Sequence, residues 1–260
     1  MSDTILISPE TFALGDFVFR FTSRHQEVLD GARKLYRSTC SNSNYRLFDL
    51  DSIEARIVAS DPATIFHSLI TDAYRYHDGH LYIDGCAFMT NRSELVLLAG
   101  ASHAGKTTLT VAAAGKLGWK IISEDLVLID SSLTHIVPFV HPLSLRVGAQ
   151  DLIMEATGIP PSGLYLDRWL VCPDMFYTGA PVPPKFSLTI LIQSDAESSA
   201  PSLTLSSAHE FLRALLPLSN ALHMDNGLRL LHSCIDMGPC YIMRGGSVGE
   251  RLALLAKLTS

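Results

Sequence analysis

The segment Leu95-Val-Leu-Leu-Ala-Gly100-Ala-Ser-His-Ala-Gly105-Lys106-Thr107-Thr108 restricts the fold of this chain more than any other. A short apolar run enters the pattern G-x-x-x-x-G-K-[ST], and Leu109, Val111 to Ala113 and Leu117 follow at helical spacing. Strand, glycine-bracketed loop and helix in that order make a βα unit, which buries its apolar strand inside an α/β sheet. The loop is equally restrictive in its chemistry. Gly100 and Gly105 let the backbone turn N–H groups inward, and the helix opening near Lys106 adds the positive end of its dipole. Gly100, Ala101, Ser102, His103, Ala104, Gly105, Lys106, Thr107 and Thr108 are therefore expected to cradle the phosphates of a nucleotide. Lys106 is expected to reach the β- and γ-phosphates, and the Thr107 hydroxyl to sit on Mg²⁺. His103 is expected to contribute backbone, with its side chain toward solvent.

Composition narrows the partners. With 260 residues, 47% of them apolar, the chain can build a sizeable core, as one large domain or one domain with an appendage. The formal charge is −6 and no block of Lys and Arg stands out, which excludes an electrostatic nucleic-acid footprint and polybasic membrane attachment. No stretch approaches the roughly 18 uninterrupted apolar residues of a spanning helix. Residues Met1 to Glu10 lack a basic leader with an apolar centre, so the cytoplasm is expected. Cys40, Cys86, Cys172, Cys234 and Cys240 are odd in number and never spaced as C-x-x-C, so they read as buried thiols rather than a disulfide or zinc framework.

Residues 1–78 read as a small α+β unit and residues 79–260 as the nucleotide-binding domain. In the first, Phe17, Phe19 and Phe21 alternate as in a strand, and Ser23-x-x-Gln26 opens a helix carrying Val28 to Tyr36. A strand around Arg56 to Ala59 and a helix after Asp61-Pro62 follow. In the second, His80 to Asp84 and Ala87 to Thr90 read as two strand-like runs, then a Thr90-Asn91-Arg92-Ser93 turn leads into the Glu94 to Ala99 strand. Lys120 to Ile122, Leu126 to Ile129, Phe186 to Ile192 and Cys240 to Met243 are further strands. Capping boxes at Ser207-x-x-Glu210 and Ser247-x-x-Glu250 open two helices. Eight of the thirteen prolines fall between Pro138 and Pro184, which resists long regular elements and leaves 158–184 as a recognition loop, a lid or an ordinary surface loop.

Phosphoryl transfer needs an anion to hold the metal and often a second to take the acceptor's proton. Glu124 and Asp125 fall at the end of the first strand after the P-loop helix, near the carboxyl edge where ligands bind in α/β sheets. Arg146, after an apolar run, reads either as positive charge for the transferring group or as a structural ion pair.

The run from Gly100 to Leu109, a short helix and Gly118-Trp-Lys-Ile-Ile-Ser-Glu-Asp125 resemble the HPr kinase/phosphorylase family and its shorter HPr-kinase-related relatives. The likeness is clearest from Asp84 to Ile129 and continues in layout through Pro142-Leu-Ser-Leu-Arg146-Val-Gly148. It implies a P-loop core of the HPr-kinase/PEP-carboxykinase-like type, ATP and Mg²⁺ as cofactors, and a homo-oligomer. It also implies Glu124 as the base that deprotonates an acceptor hydroxyl and Asp125 as the Mg²⁺ carboxylate; with Lys106 of the loop and, on the first of its two readings, Arg146, these are the candidate catalytic groups. The family's acidic pair is usually two aspartates, so Glu124 reaches one methylene further and the two roles are exchangeable. The family commonly carries a His before the P-loop strand; Gly85 stands at the matching position, with His80 earlier, which favours a kinase over the bifunctional phosphorylase.

The expected activity is an ATP-dependent kinase acting on serine of a protein or peptide, including a ribosomal peptide natural-product precursor, or on free serine. The alternative is an ATP-binding regulatory or scaffold protein with little turnover. A transporter-type ATPase fits less well, because no L-S-G-G-Q signature follows and the acidic pair comes too early.

Overall fold

The computed structural model describes residues 10–14, 17–21, 46–49, 79–133, 135–138, 143–146, 149, 151, 154–155, 163–165, 168–171, 182–193, 200–236 and 238–259. The chain divides into two compact units, Met1–Ala73 and Tyr74–Ser260. In the first, β1 (Glu10–Leu14) pairs antiparallel with β2 (Phe17–Phe21), which pairs parallel with β3 (Arg46–Asp49). The expected strand at Phe17 is present. The expected helices after Ser23 and Asp61, and the strand near Arg56, lie outside the described residues.

The second unit is mixed α/β. Its large sheet contains β4 (His80–Met89), β5 (Leu95–Gly100), β6 (Lys120–Ser123), β7 (Leu126–Asp130), β8 (Ile136–Val137), β12 (Leu188–Gln193), β13 (Ser202–Ser206) and β14 (Cys240–Arg244). The order is β13-β14-β12-β5-β4-β7-β8, with β6 also on β4. β5, β12 and β14 are parallel and β4 is antiparallel to β5. A smaller sheet, β9 (Leu143–Arg146), β10 (Gly163–Tyr165) and β11 (Arg168–Val171), accounts for the described strands of the proline-rich region, none longer than four residues.

Four α-helices are described. α1 (Lys106–Leu117) and α4 (Val248–Leu258) cover one face of the large sheet, where Leu109, Val111 and Leu252 pack with Phe88, Val96 and Ile190. α2 (Ala208–Leu215) and α3 (Gly227–Ile235) cover the other, packing Phe211 and Leu231 against Leu97 and Val127. Both expected capping boxes form, at Ser207/Glu210 and Ser247/Glu250. Helix α3 has no such signal in the sequence: it starts after Asn226 in the left-handed region, with no side-chain cap bond.

One expectation is corrected. His80 to Thr90 does not form two strands; β4 runs unbroken for ten residues. Gly85, which reads as a break, sits inside it, where a Cβ would lie 2.7 Å from the Leu98 carbonyl oxygen, so glycine is needed for close approach to β5 rather than for a turn.

The first half of β4 pairs with β7 on one side. On its other side Asn220 replaces a strand: its Oδ1 accepts from the Tyr82 amide at 2.8 Å, and its Nδ2 donates to the His80 carbonyl at 3.0 Å. Asn220 is buried, so Asn220→Ala strips two hydrogen bonds from a dry strand edge. It is expected to destabilise the fold by about 2–4 kcal/mol, measured by urea denaturation; a change of a few tenths would show that water replaces the amide.

Candidate functional site

β5 delivers the chain to Gly100 at the carboxyl ends of the parallel strands, and α1 begins six residues later. Between them Ala101, Ser102 and His103 are exposed and Ala104 is buried. The loop needs two left-handed residues, His103 at φ 70° and Gly105 at φ 90°. Glycine tolerates that region, whereas a non-glycine residue there is uncommon. No side chain caps α1, so its first-turn N–H groups face the loop.

Lys106 is 6% exposed and its ammonium is fully engaged. Nζ donates to the Gly100 carbonyl at 2.7 Å and the Ala101 carbonyl at 3.2 Å, and lies 2.8 Å from Asp84 Oδ1. Burial acts to lower the lysine pKa, but the Asp84 carboxylate, by charge and by hydrogen bond, outweighs it and holds the value above the ordinary one. A raised folded value means that the ion pair contributes stability below the ordinary lysine pKa and loses it as pH rises through the folded one.

Thr107 Oγ1 donates to Glu124 Oε1 at 2.6 Å. Glu124 is 1% exposed, and Asp125, next to it, is partly exposed. β6 and β7 flank this pair and both run antiparallel to β4, so Glu124-Asp125 is a kink between two lengths of strand. Asp125 takes φ 65°, a region aspartate tolerates. The Ser123 hydroxyl donates to the Leu126 carbonyl, and the Leu126 amide to the Glu124 carbonyl at 2.8 Å. The Gly85 amide bonds the Asp125 carbonyl at 3.1 Å, which levels the kink with the end of β5.

The structure thus brings together Lys106, Thr107 and Glu124, with Asp125 adjacent in the chain. Arg146 ends β9 in the smaller sheet, where its Cα partner across the ladder is Arg168; β9 packs on α1 through Leu143 and Leu145.

Sequence reasoning missed Asp84 and Arg251. Asp84 had a signal, an acidic residue inside the apolar run His80-Leu-Tyr-Ile-Asp-Gly-Cys-Ala-Phe-Met89. Arg251, whose Nη1 donates to the Ala104 carbonyl at 3.0 Å, is 147 residues away in sequence and had none. Cys86 lies behind the pair, accepting from the Thr110 hydroxyl at 3.1 Å; burial and then the Glu124 charge push its thiol far up. Burial also pushes Cys234 up to about 12, and Cys240 is raised. These three are buried, free thiols, as expected; Cys40 and Cys172 lie outside the described residues.

The donor set suits a nucleotide–metal complex. The three carboxylates Asp84, Glu124 and Asp125 outnumber the two cations Lys106 and Arg251, so phosphates without a metal cation would meet excess negative charge. Among the described residues no group of three or more His, Cys, Asp or Glu side chains could hold a metal ion alone. Mg²⁺ held by one carboxylate, a hydroxyl and phosphate oxygens needs no such group. Among those residues no helix is long and apolar enough to cross a membrane. No protein-family model matches the chain, and no curated protein sequence matches it. Fold and site therefore define a mixed α/β protein with a glycine-bracketed loop at the head of a helix.

Proposed function

We propose that the chain is an ATP- and Mg²⁺-dependent phosphotransferase of the HPr-kinase-related type, passing the γ-phosphoryl group to a hydroxyl, that of serine on a protein or peptide or of free serine. One observation carries the reading: Thr107 Oγ1 lies 2.6 Å from Glu124 Oε1, beside Lys106 held 2.8 Å from Asp84, at the head of a helix opened by the glycine-bracketed loop. A metal hydroxyl ligand, a carboxylate and a cation for the phosphates are what such transfer requires. The resemblance in sequence adds the acidic pair at the right spacing.

The chain's own groups divide the work. Lys106 would exchange the Gly100 and Ala101 carbonyls for phosphate oxygens, with Asp84 keeping it protonated and aimed. Bound Mg²⁺ supplies charge neutralisation at the phosphates. Thr107 and Glu124 would hold it together, and Asp125, partly exposed, would accept the acceptor's proton. That exchanges the roles which the resemblance gives Glu124 and Asp125.

The test is the fate of label from γ-labelled ATP offered with free serine, with a peptide pool, or alone. Label in serine or peptide supports the proposal. Nucleotide binding without consumption moves the protein to the regulatory reading, and release only as phosphate makes it a hydrolase. A narrower expectation follows for Thr107→Ala, which removes one metal ligand and leaves the amides: the Mg²⁺ concentration for half-maximal ATP binding should rise several-fold. An unchanged Mg²⁺ titration would take Thr107 out of the site.

A further inference from the structure

Arg251 reaches the loop from the first turn of α4. Its Nε donates to the Gly245 carbonyl at 2.7 Å and its Nη1 to the Ala104 carbonyl at 3.0 Å. A Cβ placed on Gly105 would lie 3.5 Å from the same Nη1, so the guanidinium lies against the Ala104–Gly105 peptide. Both ends of this bridge are anchored. Gly245 follows β14 directly, and α4 is held by the Ser247/Glu250 capping box and by Leu252 and Leu255 in the core shared with α1.

The consequence follows from peptide geometry. A trans peptide is planar, so the Ala104 carbonyl and the Gly105 amide point in opposite directions. Gly105, at φ 90° and without a side chain, has little of its own to stop that peptide from turning over. Pinning the carbonyl on a fixed guanidinium fork also fixes the amide on the opposite side. We propose that Arg251 is a positioning residue for the nucleotide: by bridging the Gly245 and Ala104 carbonyls it keeps the Gly105 amide turned into the phosphate cradle, so that the C-terminal helix sets nucleotide affinity. This inference rests on the nucleotide reading above.

The test measures Mg·ATP affinity by calorimetry for the native full-length chain, Arg251→Ala and Arg251→Lys, at a temperature where circular dichroism shows all three folded. Both variants should bind about tenfold more weakly or worse, since charged hydrogen bonds carry that order of effect and one ammonium does not reproduce a fork that spans two carbonyls. If Arg251→Ala does not fold, Arg251→Lys carries the comparison. Native affinity in Arg251→Ala overturns the inference and leaves the nucleotide site standing. Native affinity in Arg251→Lys shows that charge suffices and overturns the bridge. Absence of binding by the native chain removes the nucleotide reading and this inference together.

Discussion

Lys106→Ala is expected to lower ATP-dependent transfer by at least about 10²–10³-fold while the chain stays folded. The ammonium is bonded to the Gly100 and Ala101 carbonyls that phosphate oxygens would replace. Its loss removes stabilisation of charge that develops during transfer. It also leaves Asp84 without its counterion, and Asp84 is 21% exposed, so water can solvate part of that charge. The double variant Lys106→Ala/Asp84→Asn separates the two effects: it should recover the thermal stability lost by Lys106→Ala and remain inactive. Transfer at the native rate by a folded Lys106→Ala chain would sink the kinase reading.

Much of this site was legible because its parts are local. The loop, the first turn of α1 and the acidic pair are contiguous stretches whose spacing carries their chemistry, and α1 begins at Lys106 as its pattern demands. The capping boxes at Ser207 and Ser247 were legible for the same reason, since the bonding residues are three apart. What failed was long-range. Asp84 meets Lys106 only because β4 lies antiparallel to β5, and its carboxylate looked like the end of a strand. Arg251 depends on α4 packing beside α1, and Asn220 on a loop 138 residues from Tyr82. Gly85 misled for a related reason: a glycine required by a neighbouring strand is indistinguishable, in one dimension, from a glycine that ends one.

The acidic pair gives the sharpest division. Adjacent residues in an extended chain point to opposite sides, and the kink at 124–125 keeps them distinct, with Glu124 buried on the Thr107 hydroxyl and Asp125 partly exposed at φ 65°. A carboxylate on the metal side acts before the chemical step, whereas a base acts within it. Glu124→Gln keeps the size of the side chain but removes the charge, so its main effect should be weaker Mg·ATP binding and a higher Mg²⁺ requirement. Asp125→Asn should bind Mg·ATP nearly as the native chain does and lose about 10²–10⁴-fold in kcat, the range for a displaced general base. Calorimetry and single-turnover transfer on the same preparations read both quantities. The reverse pattern, with binding lost in Asp125→Asn and only turnover lost in Glu124→Gln, would restore the roles that the family resemblance implies and make the Thr107–Glu124 bond a feature of the nucleotide-free loop. Native transfer by both variants would take the acidic pair out of the reaction and leave the kinase reading to rest on the loop and Lys106.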